Sequence, residues 1–289
     1  MADDAGPQSG MAGAELARQE LERENRILER KMRRLEASVK NLESFQDSNS
    51  TLLSSLIREL EDERAKSRRL LLNVLPARIA DRLTAGEARI ADRHEDVTVL
   101  FSDFVSFTTI AGERSPSVLV EELNELFRAF DAICDETEIE KIKTVGDAYL
   151  AVGGLSGAGR AGAGDAATRV ADAALRMAAY VAERGESIGR NHGSGHAGRG
   201  TPWRIRIGIN AGPVVAGVVG ASKFAYDVWG DTVNVASRLE TTAEAGRIHV
   251  SETAAEKLRA EFVLEPRGAI ELKGKGPVET YWLVGRRSG

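Results

Sequence analysis

From Leu21 the apolar positions return alternately every three and four residues. Leu21, Leu28, Leu35, Leu42, Leu56 and Leu70 fall on one heptad site, and Met32, Val39, Leu53, Leu60 and Val74 on the other. Glu, Lys and Arg fill most places between them. A stripe only two residues wide per heptad suits another helix better than a broad core, so the pattern predicts a coiled coil over 14–75. Asn25, Gln46, Asn49, Glu63 and Ser67 interrupt the seam. Asn25 favours a parallel two-stranded pairing in fixed register, and the polar set together would let the coil switch between two packings. Residues 1–13, acidic and rich in small side chains, predict a disordered start. Pro76 ends or bends the rod near Leu75. The stretch 76–96 then predicts a linker, with at most a short turn at 81–83.

At Val97 the periodicity changes. A strand is predicted over 97–101, a helix over 117–137, two short strands over 140–144 and 148–152, and a helix over 165–184. A strand over 203–209 follows, then a strand-like run over 214–219 and a helix over 232–244. Further short strands and one helix complete the chain. The order β-α-β-β-α-β describes an α+β, ferredoxin-like sheet with helices on one face, spanning 97–289. Two glycine-rich pieces interrupt it, "GGLSGAGRAGAG" and "RGESIGRNHGSGHAGRGTP". Neither has the spacing of a phosphate loop or a dinucleotide fingerprint, so both read as surface loops, with His192 and His196 idle in solvent. His94 and His249 have no recognisable partners in the sequence.

Composition narrows the possibilities. With 289 residues and 42% hydrophobic content, the chain has room for one good-sized domain plus an appendage, or for two small domains. A net charge of -5 gives no basic field, so nucleic acid is not an expected partner. No apolar run is long enough to span a bilayer, and the N-terminus lacks the apolar core of a signal peptide. The lone cysteine, Cys134, excludes a disulfide within the chain and reads as a small buried hydrophobe. The protein is therefore read as cytoplasmic.

The stretch "VTVLFSDFVSFT", 97–108, carries the first sign of chemistry. It reads as a buried strand, yet it contains Asp103, and burying a carboxylate costs several kcal/mol unless something pairs with it. A second carboxylate, Asp147, follows Gly146 at the tip of the predicted hairpin, where Gly first suits a type II′ turn. The first strand of such a sheet lies beside the hairpin, so the two carboxylates can converge. Two hard anionic oxygens side by side ask for a cation, Mg²⁺ or Mn²⁺. Taken singly, Asp103 as a helix cap and Asp147 as turn chemistry would be the plainer readings.

These residues resemble the catalytic domain of the class III nucleotidyl cyclases, specifically the adenylyl cyclases. "FSDFVSFT" is similar to the family's first metal motif and "EKIKTVGDAYLA" to its second. "YDVWGDTVNVASRLE" is similar to its third, and "ELKGKG" to its C-terminal phosphate-binding segment. The resemblance implies that Asp103 and Asp147, with the backbone carbonyl of Phe104, hold two Mg²⁺ or Mn²⁺ ions per site. It implies that Lys143 and Asp227 read the adenine of ATP, since a lysine can donate to a ring nitrogen and a carboxylate can accept from the 6-amino group. Asn234 and Arg238, four apart on one helical face, would orient the ribose and neutralise transition-state charge. Lys273 would contact the terminal phosphates, with Lys275 as a less certain neighbour. Ser222 stands where some relatives carry a phosphate-binding arginine, a place Lys223 would have to fill. The family works as a dimer with sites at the interface, so the expected enzyme is a homodimer converting ATP to 3′,5′-cyclic AMP and pyrophosphate. The coil would set the relation of the two domains in response to an unknown upstream sensor. A guanylate cyclase and a catalytically silent regulatory dimer are the alternatives.

Overall fold

Helix α1 (Gln8–Leu72) takes up the heptad region without a break through Leu70 but ends before Val74, short of the predicted limit at 75. The computed structural model describes residues 8–155, 165–190, 201–220, 223–272 and 274–287. It divides the chain into two compact units, Met1–Asn73 and Val74–Gly289. In the first unit the helix begins inside the stretch read as disordered, of which residues 1–7 lie outside the described ones. Within a single chain the seam leucines are more than half exposed, Leu28 at 56%, Leu35 at 64% and Leu42 at 66%. Near the polar part of the seam, Ser48, Thr51 and Ser54 donate back to the carbonyls of Ser44, Asp47 and Ser50 at 2.8–2.9 Å. Such back-bonding slightly weakens and bends a helix.

The second unit starts earlier than its apolar pattern indicates. Helix α2 (Ala77–Thr84) occupies part of the expected linker and buries Ile79 and Ala80. Strand β1 (Ala91–Phe104) begins six residues before Val97, on polar residues. There follow α3 (Phe107–Glu113), α4 (Pro116–Thr137), β2 (Glu140–Val145), β3 (Ala148–Gly153), α5 (Ala166–Arg190) and β4 (Ile205–Val219). The chain is completed by β5 (Ala225–Trp229), α6 (Asp231–Thr241), β6 (Ile248–Ser251), α7 (Glu252–Leu258), β7 (Phe262–Leu272) and β8 (Gly276–Arg286). The two strand runs expected at 203–209 and 214–219 are one strand, β4. Most of both glycine-rich pieces, with His192 and His196, lies outside the described residues.

The sheet runs β2-β3-β1-β4-β6-β8-β7, with β5 on the remaining edge of β4. Its first four members, all antiparallel, are the expected ferredoxin-like order. One face is the core. Leu100 and Phe104 of β1, Tyr149 and Ala151 of β3, and Ile205, Ile207 and Ile209 of β4 pack there against α4, α5 and α7. Cys134 belongs to this core, and burial pushes its thiol up to about 12, as suits an inert side chain.

The other face sets the polar side chains of the site among buried Val99, Leu150 and Val152, and the expectation that all helices share one face is corrected here. Asp103, Phe101 and Val99 of β1 stand opposite Arg206, Gly208 and Asn210 of β4 on the side away from the core. Helix α6 lies on that side, because Gly208 lets its backbone approach: a Cβ there would come within 2.2 Å of the Glu240 nitrogen and 2.3 Å of the Ala236 oxygen. Asn210, buried, ties down the start of the helix by donating to the Thr232 carbonyl at 2.9 Å. It accepts in turn from Ser251 at 2.7 Å.

Candidate active site

The hairpin between β2 and β3 pairs Val145 with Ala148, leaving Gly146 and Asp147 as its two-residue tip. Gly146 has φ +63, and Asp147 is not among the described non-glycine residues with positive φ, as a type II′ turn requires. Ser102 of β1 is in register with Tyr149 of β3, so the next residue of β1, Asp103, reaches the tip. The two carboxylates meet there. The carboxyl of Asp147 is pushed up to about 6 by burial, then by a hydrogen bond and repulsion from Asp103. Backbone N–H groups of Asp147 and Phe104 oppose the rise. The structure thus brings Asp103, Phe104 and Asp147 together. Carboxylate oxygens crowded in this way suit a hard divalent cation. Among the described residues no group of three His, Cys, Asp or Glu side chains converges, so two carboxylates are the side-chain share of such a site.

The backbone of Phe104 is fixed by its ring. Trp203 packs edge-on at 4.9 Å and Phe130 stacks at 6.1 Å, centroid to centroid. Trp203 is in turn held through Nε1 to Glu122 at 3.0 Å.

Lys143 and Asp227 form an ion pair at 2.5 Å. They come from strands that are not neighbours in the sheet, so the pair records how far the β4–β5 ribbon curls over toward β2. Regular pairing back from the turn aims the lysine, and a bulge between Lys141 and Lys143 brings Glu140 to the same side. Glu140 pairs with Val152 and Lys143 with Leu150, which puts both on the face away from the core. Lys141, by contrast, turns to the core side and pairs with Asp131 of α4 at 2.7 Å. The second oxygen of Asp227 accepts from the Val228 N–H at 2.9 Å, which locks the carboxylate.

Asn234 is exposed and Arg238 half-buried on one side of α6, one turn apart. Lys275 reaches the first residue of that helix in an ion pair with Asp231. Lys273 and Ser222 lie outside the described residues; Lys223 is exposed.

Sequence reasoning missed Arg206. Its Nη2 donates to Asp103 at 2.7 Å and its Nε stands 2.5 Å from Glu240 of α6. It therefore joins the strand carrying one candidate metal carboxylate to the helix carrying Arg238. The signal was available in "WRIRIGI", where alternation places Arg206 on the face opposite Ile205 and Ile207. What could not be read was the register that sets it against Asp103. His249, without partners in the sequence, is buried and bonds the Leu239 carbonyl at the end of α6 at 2.9 Å.

Residues 90–285 match the family model described as the adenylate and guanylate cyclase catalytic domain. The chain belongs to the class III nucleotidyl cyclases. Over 229 residues, 79% of its length, this class III cyclase is 43% identical to an adenylate cyclase of Mycobacterium tuberculosis. It is also 39% identical over 249 residues, 86% of its length, to the human atrial natriuretic peptide receptor 2. It spans 48% of the mycobacterial protein and 23% of the receptor. Among solved structures, the catalytic core of a rhodopsin-guanylyl cyclase with converted specificity, in complex with ATPαS, is similar at 38% identity and a TM-score of 0.59. That match covers 68% of this cyclase and 98% of the other chain. The adenylyl cyclase CyaB of P. aeruginosa is similar at 28% identity and a TM-score of 0.59, over 68% and 97% of the two chains. Among the described residues no helix is long and apolar enough to cross a membrane.

Proposed function

We propose that this cyclase converts ATP to 3′,5′-cyclic AMP and pyrophosphate, and that it does so as a homodimer. The observation that carries the choice of ATP is the Lys143–Asp227 pair, 2.5 Å apart on the face away from the core. Lysine offers only donors and a carboxylate only acceptors. Adenine presents a ring-nitrogen acceptor beside an amino donor, and guanine presents the reverse. The pair therefore suits adenine and repels guanine by leaving a charged group without a partner.

In this reading Asp103 and Asp147, with the Phe104 carbonyl, hold two divalent ions. When bound, these lower the pKa of the ribose 3′-hydroxyl and screen the triphosphate. Asn234 fixes the ribose so that its 3′-oxygen lies in line with the α-phosphorus. A bond forms from that oxygen to phosphorus, the bond to pyrophosphate breaks, and the hydroxyl proton leaves to solvent. Arg238 holds a guanidinium against the charge that grows on the phosphoryl oxygens. Lys273 is assigned to the terminal phosphates. The exposed apolar seam of α1 supports pairing of two chains through that helix, since a single helix would leave it in water. It supports a role for the helix in setting activity, with the upstream signal supplied by a sensor or partner.

The test is to incubate the purified protein with Mn²⁺ and either ATP or GTP and to measure cyclic nucleotide and pyrophosphate. Cyclic AMP from ATP, lost in Asp103→Ala and Asp147→Ala, is the expected result. Turnover of GTP alone would replace this reading with a guanylate cyclase. Silence with both nucleotides would make the protein a regulatory dimer.

A further inference from the structure

Arg78 lies on α2, separated from the long helix in the chain only by residues 73–76. One of its guanidinium nitrogens, Nη2, donates to both oxygens of Glu140 at 3.0 Å and to the hydroxyl of Tyr226 at 2.6 Å. Its carbon also lies 5.6 Å from the centre of the Tyr226 ring. The Tyr226 hydroxyl is hydrogen-bonded to Glu140 as well, which closes a triangle. The ion pair is shielded, with the Arg78 side chain 31% exposed and that of Glu140 17%.

What these two partners neighbour gives the triangle its meaning. Tyr226 immediately precedes Asp227 on β5, and Glu140 lies on β2 on the same face as Lys143, because the bulge between them restores that face. Beyond the Lys143–Asp227 ion pair itself, Arg78 is a second link across the same two strands. It is made by a residue outside the sheet, at the element that follows the coil in the chain. We propose that Arg78 is a positioning residue for the base-reading pair: by clamping β2 to β5 it sets the spacing of Lys143 and Asp227, and with it nucleotide affinity and the preference for ATP over GTP. Displacement of α2 would then act on substrate selection before it acts on the groups that perform the chemistry. The inference rests on the adenylate cyclase reading above.

The experiment uses the full chain and compares Arg78→Ala, Arg78→Lys and Tyr226→Phe with the wild type. KM and kcat are measured for ATP, and kcat/KM for GTP. Arg78→Ala should raise the KM for ATP about five- to tenfold, with kcat within about twofold, and narrow the ATP-to-GTP ratio by a similar factor. Arg78→Lys keeps the charge and a single donating nitrogen but loses the planar guanidinium beside the Tyr226 ring, so it should fall between. Tyr226→Phe removes a single oxygen and leaves the Arg78–Glu140 pair. It should shift KM and selectivity in the same direction by a smaller factor, and it decides the matter if Arg78→Ala does not fold. Combining Arg78→Ala with Tyr226→Phe should give less than the product of the two effects. Cyclic AMP production by the wild type with unchanged KM and selectivity in these variants would overturn the inference and leave the function standing. The same holds if kcat alone fell, equally for both nucleotides. A wild type without turnover of either nucleotide would overturn both.

Discussion

Replacing Gly208 with alanine tests how closely the helix bearing Arg238 must lie on the sheet. The added methyl would stand 2.2 Å from the Glu240 nitrogen, 2.3 Å from the Ala236 oxygen and 2.8 Å from the Glu240 Cα. All three are backbone atoms of α6, so no side chain can swing aside. Ordinary contact begins near 3.4 Å, and the helix must retreat by roughly 1 Å. Overpacking of this kind costs about 1–3 kcal/mol, which for a unit of this size lowers Tm by roughly 2–12 °C. Activity should suffer more. Ala236 and Glu240 flank Arg238 on either side, so the retreat is imposed where the guanidinium is aimed. A misplacement of about 1 Å is worth on the order of 10² in rate. The measurements are initial cyclisation rates beside thermal melts, with Gly112→Ala, where nothing lies within 4 Å of the added methyl, as the control. Gly208→Ala at about wild-type turnover would refute the idea that this contact sets the position of α6.

Three further outcomes are expected. Arg238→Ala should lower turnover by about 10²–10³, and mixing it with Asp103→Asn, each inactive alone, should restore roughly a quarter of wild-type activity if the sites are shared between two chains; absence of recovery would place all groups in one chain. His249 is held near pKa 4 by burial, against the hydrogen bond to Leu239, with Arg267 adding to the depression. The unfolded chain then binds more protons between about pH 6.5 and 4, so stability is complete above that window and falls as pH drops through it, by at most about 1.4 kcal/mol per pH unit. Melts from pH 8 to 4 on the wild type and on His249→Gln check this, the variant giving the flatter profile. Finally, a chain starting at Val74 should melt well above one starting at Asp92, because the shorter form strips buried Leu75, Ile79, Ala80 and Ile90 from the unit; each large side chain contributes about 1.5–3 kcal/mol.

The meeting of Asp103 and Asp147 was legible because it depends on strand order alone. A β-α-β-β-α-β sequence puts the first strand beside the hairpin, and the turn residues place the second carboxylate at its tip. The start of β1 was not legible. Residues 91–96 are almost all polar, with Ala91, Arg93, Glu95 and Asp96 exposed and Asp92 and His94 only partly buried, since this part of the strand pairs with β4 and buries little. Helix α2 was hidden for the opposite reason: Pro76 stops the helix before it, and eight residues carry too little periodicity to announce a new one. Arg206, Gly208 and Arg78 owe their roles to partners far off in the chain, from Ala236 and Glu240 for Gly208 to Tyr226, 148 residues on, for Arg78, set by register and curl that no local pattern encodes. Even α6, recognised as a helix, gave no hint of which side of the sheet it would cover.

The bulge in β2 is what lets two residues three positions apart look out on the same side. With every letter kept but the kink ironed out, the turn would still hold Lys143 against Leu150, while Glu140 would slip opposite Gly153 and face the interior. A related chain could thus keep its base-reading lysine and yet lose that strand's tie to Arg78.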